Sequence, residues 1–229
     1  MSTEATVSAE ASGTPPEPDV ARPTSTELLA DNEQLPPRQP AGQTPSQTVG
    51  PFFGYALPYT GGPQLVPAVR PDAIRLHGTV FDGAGAPIPD ALLELWQPDA
   101  SGALVRRAGS RRRERGDFTG FGRAAVDVEG NYEFVTILPG PIGGSAAHWA
   151  LLTVFARGLL HHLFTRAYFV ERDGAVPSDA LLQRLPADRR DTLLAREHQH
   201  GRYRFDIHLQ GDSETVFLDY PGVGASDGR

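Results

Sequence analysis

The chain has 229 residues, a formal net charge of −7 at pH 7 and no cysteine. This acidic balance argues against a general attraction to nucleic acid or to an anionic membrane, because both require a basic surface. The absence of cysteine excludes disulfides and thiolate metal sites, so any metal would need histidine, carboxylate or tyrosine ligands. The 25 glycines and 21 prolines predict many turns and few long helices.

The first 43 residues are rich in Ser, Thr, Ala, Glu and Pro and show no apolar periodicity. Such a segment cannot bury enough apolar surface to offset the entropy lost on ordering, so we expect residues 1–43 to be a disordered tail. Residues 44–220 are expected to form one domain, followed by a short tail at 221–229. Because no signal-like start and no run of about 18 apolar residues occurs, we expect a cytoplasmic protein.

Strand-like segments begin at residue 74. Residues 74–81 and 91–97 alternate apolar and polar side chains, and the glycine- and proline-rich run between them predicts a hairpin. Residues 121–127 and 131–137 predict a second hairpin around an Asp-Val-Glu-Gly turn. Between the two predicted hairpins, residues 106–115 hold six arginines, which indicates an exposed loop that faces solvent or another subunit.

The longest apolar run covers residues 149–156 and is followed, after a turn at Arg157-Gly158, by a second run that carries His161 and His162. Continuous apolar segments bounded by Gly and Pro favour strands over helices, so two adjacent buried strands are predicted.

The remaining elements are one helical region and two closing strands. Residues 178–198 are predicted to be helical, with Ser178 or Asp179 as the cap and a break at Pro186. The closing strands are predicted at 203–210 and 215–220. Short strands separated by turns, with one helical insert, predict an all-β fold of the β-sandwich type.

The histidines form no recognisable metal motif. His161 and His162 are consecutive, so on a strand they point to opposite faces and cannot both bind one ion without a bulge. His198 and His200 could share a face, but they lie in a polar stretch that is typical of a loop. From the residues alone we interpret these side chains as hydrogen-bonded or solvated.

Several motifs nevertheless occur together and in order over residues 44–220. They are TPSQTVGPFFGY, LELWQPDASG, GDFTGFGR, VFARGLLHHLFTRAYF and YRFDIHLQGDSETVFLD. In this combination the chain resembles the intradiol ring-cleaving dioxygenases, and more narrowly their alpha type of subunit, which pairs with an iron-holding beta subunit. The resemblance implies a β-sandwich of the intradiol dioxygenase type.

Iron-holding members of this family bind ferric iron through two tyrosines and two histidines. One tyrosine lies in a PGPYPW-like turn, and this chain has Ile142 in its place. The histidines lie in a PAHIH-like strand. In one alignment His148 matches the first histidine and Ala150 replaces the second; in the other, Trp149 and Leu151 replace both.

The second tyrosine of the family should lie within residues 104–119, which contain none. A ferric ion left with one side chain would lose most of its affinity and geometry. The resemblance therefore implies that this chain contributes no metal ligand and no catalytic residue of its own. The cofactor Fe(III) is expected on a homologous beta-subunit partner.

The resemblance also implies that this chain walls the partner's pocket. The Gln-Thr-x-Gly-Pro segment of such subunits lies beside the partner's iron, which corresponds here to Thr48, Gly50 and Pro51, with Phe52 behind them. Arg157 is a further candidate, either for binding the carboxylate of the substrate protocatechuate or for an interface salt bridge. The implied reaction uses O2 to cleave protocatechuate to 3-carboxy-cis,cis-muconate.

Two other hypotheses stay open. One is a non-enzymatic β-sandwich that binds sugars or another protein. The other is a self-sufficient dioxygenase whose ligands come from Tyr132, His148, His161 or His162 in an unfamiliar arrangement.

Overall fold

The computed structural model describes most of the predicted domain, within a compact unit that spans Ser46–Arg229. The predicted tails, the arginine-rich loop, Thr48 and Pro51 lie outside the described residues. The described residues are 50, 52–105, 118–172 and 174–220.

These residues contain nine strands and three short helices. The strands are β1 (Ala73–Phe81), β2 (Leu92–Trp96), β3 (Phe121–Ala125), β4 (Asn131–Ile137), β5 (Trp149–Phe155), β6 (Leu163–Val170), β7 (Leu194–Gln199), β8 (Arg202–Arg204) and β9 (Ile207–His208). The helices are α1 (Phe53–Ala56), α2 (Ala180–Arg184) and α3 (Ala187–Asp191).

The strands form a sandwich from one continuous hydrogen-bonded path. Its order is β3-β2-β5-β6-β7-β8-β1-β4, with β9 paired to β1, and the two end strands, β3 and β4, contact each other. The arm β3-β2-β5-β6 therefore lies over the arm β7-β8-β1-β4. Fully buried side chains from both arms share one core, which confirms the predicted all-β sandwich. Examples are Leu95, Leu152, Leu76 and Phe134.

Both predicted hairpins are wrong in their pairing. Strand β1 pairs with β4, β8 and β9, whereas β2 pairs with β3 and β5. The chain therefore crosses from one arm to the other between β1 and β2, and again between β3 and β4. The turns themselves lie where the sequence predicts them. A turn signal locates a reversal of the chain, but it does not say which sheet the next strand joins.

Three of these turns share one aspartate-based geometry. The Oδ1 atom of Asp82, Asp99 or Asp127 accepts backbone N–H groups two and four residues later, at 2.8 to 3.0 Å. The glycine three residues after each aspartate has a positive φ, which residues with a side chain rarely adopt. These glycines are Gly85, Gly102 and Gly130.

The prediction of two adjacent buried strands is confirmed, because β5 and β6 form an antiparallel pair. The helical prediction is right in its first part: α2 begins after Asp179, whose side chain accepts the N–H of Leu181 at 2.9 Å, and the chain breaks at Pro186 before α3. It is wrong beyond residue 193, where β7 pairs in parallel with β6. Hydrogen bonding to the open edge of β6 outweighs the local helical pattern.

The closing strands are shorter than predicted. Residues 203–210 contain only the end of β8 and the two-residue β9, and residues 215–220 form no strand. The last described segment is instead held by single contacts, such as the N–H of Leu218 donating to the carbonyl oxygen of Phe164 at 2.8 Å. No helix among the described residues is long and apolar enough to cross a membrane.

The outer face of the β7-β8-β1-β4 arm is charged and carries a histidine pair. Glu133 forms ion pairs with Arg75 and Arg202. Beside them, the Nε2 atoms of His77 and His198 lie 2.7 Å apart, so one imidazole donates and the other accepts. This hydrogen bond requires at least one neutral ring.

Replacing Gly78 tests how closely β1 packs on the segment before β9. A Cβ at this position would overlap the carbonyl group of Phe205, with the carbonyl carbon only 2.6 Å away. We expect Gly78→Ala to lower the free energy of unfolding by about 3 kcal/mol, measured by urea denaturation. Gly54→Ala is the control, because no atom lies within 4 Å of its added Cβ. Equal stability of the two variants would contradict this packing.

The histidine pair predicts a pH-dependent stability. Burial, followed by the charges of His198 and Arg202, lowers the pKa of His77, while Glu133 opposes the shift. The unfolded chain therefore binds this proton more readily, and stability present above about pH 6.5 is lost as the pH falls towards the lower folded pKa. We expect the Tm to drop less over this range in His77→Gln than in wild type. His200→Gln is the exposed control, and an identical drop in all three proteins would refute the prediction.

Candidate functional site

The outer face of the β3-β2-β5-β6 arm is the candidate site, because it contains the segments that resemble the family motifs. Side chains alternate along β5, so Ala150 and Leu152 face the core while Trp149, Leu151 and Phe155 face outward. Strand register places aromatic side chains of the neighbouring strands on the same side. We call this surface the aromatic face, and its other members are Trp96, Phe121 and Phe164.

Helix α1 docks on one end of the aromatic face. The ring of Phe53 is 7% exposed and lies 6.4 Å from the ring of Phe155. Gly50 is three residues earlier, so its Cα lies within roughly 11 Å of that of Phe53. Phe155 is in turn two residues before Arg157. Arg157 therefore lies just beyond the end of β5 on which α1 packs, and Gly50 lies three residues before Phe53 in the chain.

A buried ion pair fixes the segment that follows α1. The guanidinium of Arg123 on β3 is bound by the carboxylate of Glu94 on β2, and its Nη1 donates to the carbonyl oxygen of Leu57 at 2.7 Å. The guanidinium also lies 5.9 Å from the ring of Tyr59. Sequence reasoning missed this anchor. The available signal was a charged residue at the centre of each of two apolar strands.

The side chain of Arg157 is exposed, but an ion pair with Asp90 fixes the orientation of its guanidinium group. Its Nε and Nη2 atoms both lie 2.7 Å from Oδ2 of Asp90, whose side chain is 23% exposed against 67% for Arg157. The ion pair holds one edge of the guanidinium and leaves the rest of it open to solvent. Arg157 can therefore donate to a further carboxylate without moving.

Neither alignment with the family's metal-binding strand supplies a ligand pair. Ala150 is fully buried in the apolar core, where an ion would be unpaired. His148 lies just before β5, and its Nδ1 donates to the carbonyl oxygen of Pro139 at 2.7 Å. On the outer side, Trp149 and Leu151 offer no donor that suits ferric iron.

A cationic side chain occupies this part of the aromatic face. Arg166 on β6 is opposite Leu151 in the register, and its guanidinium carbon lies 4.0 Å from the ring centroid of Trp149. The Nη1 of Arg166 is 3.4 Å from the hydroxyl of Tyr168, which donates to Asp179 at 2.8 Å. Burial raises the pKa of Tyr168, which opposes the tyrosinate form that a ferric ligand needs. The residues present therefore do not fit a ferric ion.

The residues of the self-sufficient alternative are engaged separately. The hydroxyl of Tyr132 donates to the carbonyl oxygen of Phe205 inside the core at 2.5 Å. His162 packs between the rings of Phe155 and Phe164, and His161 is exposed. Within the described ranges, no three His, Cys, Asp or Glu residues are grouped as they would be around a metal ion.

Comparison with known proteins gives consistent matches. A family model described as Dioxygenase matches residues 68–211. The protocatechuate 3,4-dioxygenase alpha chain of Burkholderia cepacia is 42% identical over 193 residues, which cover 77% of this chain and 97% of that one. The alpha chain from Pseudomonas putida is 36% identical over 198 residues, covering 78% and 96%.

The beta chain of the Burkholderia cepacia enzyme is also related, at 32% identity over 158 residues, which cover 63% of this chain and 67% of that one. Among solved structures, the dioxygenase domain of a carbohydrate-binding fusion protein from Streptomyces sp. SirexAA-E is 24% identical. It aligns with a TM-score of 0.46, over 65% of this chain and 87% of that one.

The Arg123 anchor predicts a large cost for removing its carboxylate. In Glu94→Gln the buried guanidinium would keep only neutral acceptors, and breaking a buried ion pair from one side costs about 3 to 5 kcal/mol. We expect urea denaturation to show a loss of about 3 kcal/mol. Asp72→Asn breaks the exposed pair with Arg70, which solvent screens, and should destabilise the protein far less than Glu94→Gln does. Similar small losses in both variants would contradict the anchor.

Proposed function

The chain belongs to the intradiol dioxygenase family, and on that premise we propose that it is the alpha subunit, without iron, of a protocatechuate 3,4-dioxygenase. The assembled enzyme uses O2 to cleave protocatechuate to 3-carboxy-cis,cis-muconate, with Fe(III) on a homologous beta subunit. The observation that carries this proposal is the set of side chains that align with the family's metal-binding strand. In one alignment Ala150 leaves at most His148 as a ligand, and in the other Trp149 and Leu151 offer no donor for ferric iron.

The relatives support the proposal that two homologous chains, an alpha and a beta subunit, have different roles in the enzyme. The matched alpha chains align over almost their whole lengths, and a beta chain from the same bacterium is a more distant relative of this sequence. Two related sandwiches can pair through similar surfaces, so that segments of one chain complete the site of the other. In this pairing, the iron-holding partner supplies the redox chemistry and this chain supplies part of the pocket wall.

The proposed pocket wall consists of Thr48, Gly50 and Pro51, with Arg157 at its rim. The contact of Phe53 with Phe155 supports this assignment, because it holds the end of the segment against the sandwich. Backbone around Gly50 can approach a ligand closely, since the residue has no side chain. The role of this chain in the pocket is binding: its residues position the catechol, bind the carboxylate of the substrate and exclude water.

Reconstitution tests the assignment of the iron. The full chain produced alone should contain far less than one iron per chain and consume no O2 with protocatechuate. The same chain co-produced with its beta partner should form a complex that consumes O2. Stoichiometric iron with a visible tyrosinate-to-iron absorption band in the isolated chain would refute the proposal, because it would require a complete ligand set.

Arg157 predicts a substrate-selective defect. In the assembled enzyme, Arg157→Met removes a charge-assisted hydrogen bond to the substrate carboxylate, worth about 1.5 to 3 kcal/mol. We expect the KM for protocatechuate to rise at least about tenfold, while any turnover of catechol, which lacks the carboxylate, changes little. Arg196→Met is the control, since Arg196 is an exposed arginine paired with Asp191 elsewhere. Equal effects on both substrates would assign Arg157 to the subunit interface instead.

A further inference from the structure

The outer face of the β7-β8-β1-β4 arm contains a cavity of about 370 Å³ beside the histidine pair. It crosses three neighbouring strands, β8, β1 and β4. The side chains of Arg202 and Arg204, which line it, are 34% and 57% exposed, so solvent reaches the cavity directly. Its other polar lining residues include His77, Thr79, Asn131 and Glu133. The cavity is therefore open to a small polar ligand.

Two arginines and two histidines are gathered beside this cavity. Arg202 and Arg204 point to the same side of β8, because Tyr203 between them is buried in the core. In the sheet β8 lies between β1 and β7, so the hydrogen bond between His77 and His198, 2.7 Å between the Nε2 atoms, passes over β8. In the register, Arg204 is directly opposite His77. The guanidinium and imidazole groups thus form one patch.

The carboxylates around the cavity do not use all the donors of these arginines. Glu133 is shared by Arg202 and Arg75, so two guanidinium groups have one carboxylate between them. Among the contacts of the described residues, the guanidinium of Arg204 binds only Asp206, through Nε at 2.9 Å. Each arginine has five N–H donors, so several of them remain for an anion.

Other charged groups near the pair are bound elsewhere or add positive charge. The carboxylate of Asp127 accepts N–H groups of its own turn, and that of Glu197 accepts the N–H of Gly201 at 2.7 Å. Arg172 donates to the carbonyl oxygen of His198, which places another cation beside the pair. The surroundings of the histidines therefore contain more available donors than available carboxylates.

The histidine pair can take up one proton without losing its hydrogen bond. The bond occupies the Nε2 atom of each ring, and with one added proton both Nδ1 atoms carry hydrogen. Burial and the charge of His198 lower the pKa of His77. Arg202 and Arg204 lower this pKa further, while Glu133 opposes them. An anion in the cavity would offset the positive charge and favour the proton.

The same positive charge disfavours a metal cation at the two imidazoles. Within the described ranges, no third His, Cys, Asp or Glu is grouped with them as a metal ligand. Guanidinium and imidazolium groups instead bind oxyanions through several charge-assisted hydrogen bonds. Thr79 and Asn131, whose side chains hydrogen-bond to each other at 2.8 Å, make another part of the cavity wall polar. This wall suits a compact oxyanion better than an apolar ligand.

We propose that His77, Arg202 and Arg204 form a binding site for a tetrahedral dianion, sulfate or a phosphoryl group, and that its occupation is coupled to the uptake of one proton by the histidine pair. The site is on the arm opposite the proposed pocket wall and does not depend on the proposed function. Because the anion favours the protonated pair, it binds more tightly as the pH falls through the range in which histidine is protonated.

NMR titration of the histidines tests the coupling. The probe is sodium sulfate, which keeps both charges between about pH 5 and 8, compared with sodium chloride at equal ionic strength. The imidazole signals of the full-length chain are assigned by single His→Gln variants. We expect sulfate to raise the pKa of the pair formed by His77 and His198 and to leave that of the exposed His200 unchanged. Sulfate should bind the protonated pair at least about tenfold more tightly than the neutral pair.

Variants identify the donors. Arg204→Gln removes one charge from the cavity, and sulfate binding should weaken at least about tenfold. If Arg204→Gln does not fold, Arg202→Gln replaces it, since Arg75 still pairs with Glu133 there. Arg70→Gln is the control, because Arg70 is an exposed arginine that pairs with Asp72 and does not line the cavity. It should bind sulfate as the wild type does.

Three results would overturn the proposal: equal histidine pKa values in sulfate and chloride, a sulfate effect of the same size on His200, or unchanged sulfate affinity in the cavity variant. In the enzyme assembled with its partner, sulfate should raise the Tm more than chloride does below about pH 6.5, and an equal Tm would also overturn it. Tighter binding of glycerol 3-phosphate than of inorganic phosphate assigns the site to a phosphate ester, and the reverse order to the free ion. Both orders support the site.

Discussion

The direction in which successive side chains of β5 point is the constraint on which the candidate site depends. Leu152 and Ala150 lie in the core, so Trp149 and Leu151 must form the outer surface of the same strand. That surface then carries an indole and an isobutyl group, and Arg166 on the adjacent strand lies over the indole. The outer surface of β5 lacks nitrogen and oxygen ligands for a ferric ion because regular strand alternation places Trp149 and Leu151 there. No distortion of the strand is needed to explain this.

A second constraint is that two contacts hold the segment after Gly50 against the outer face of the β3-β2-β5-β6 arm. Phe53 packs on Phe155, and the buried Arg123–Glu94 pair holds the carbonyl group of Leu57. These contacts use the same outer surface that lacks metal donors. Within the described residues, one face of the sandwich thereby positions the proposed pocket wall and offers no donor set for a ferric ion.

Strand alternation and turn residues were enough to predict much of the fold. They located β5 and β6, the start of the helical region at Ser178 or Asp179, of which Asp179 is the cap, and the break at Pro186. They failed on pairing, because the turn after Asp127 carries the chain to the opposite arm, and they missed β7, whose partner is distant in sequence. The resemblance predicted the loss of ligands, but the unpaired Nε of Arg166 and the Asp90 partner of Arg157 depend on side-chain packing that no motif records.

The central claim is that this chain does not hold the iron of the assembled enzyme. Anomalous diffraction from crystals of the assembled complex, measured at the iron absorption edge, tests it most directly. The account predicts one iron peak for each pair of chains, located within the partner subunit, and no peak beside Trp149. An iron peak coordinated by side chains of this chain, at Trp149 or anywhere else in its sandwich, would contradict it.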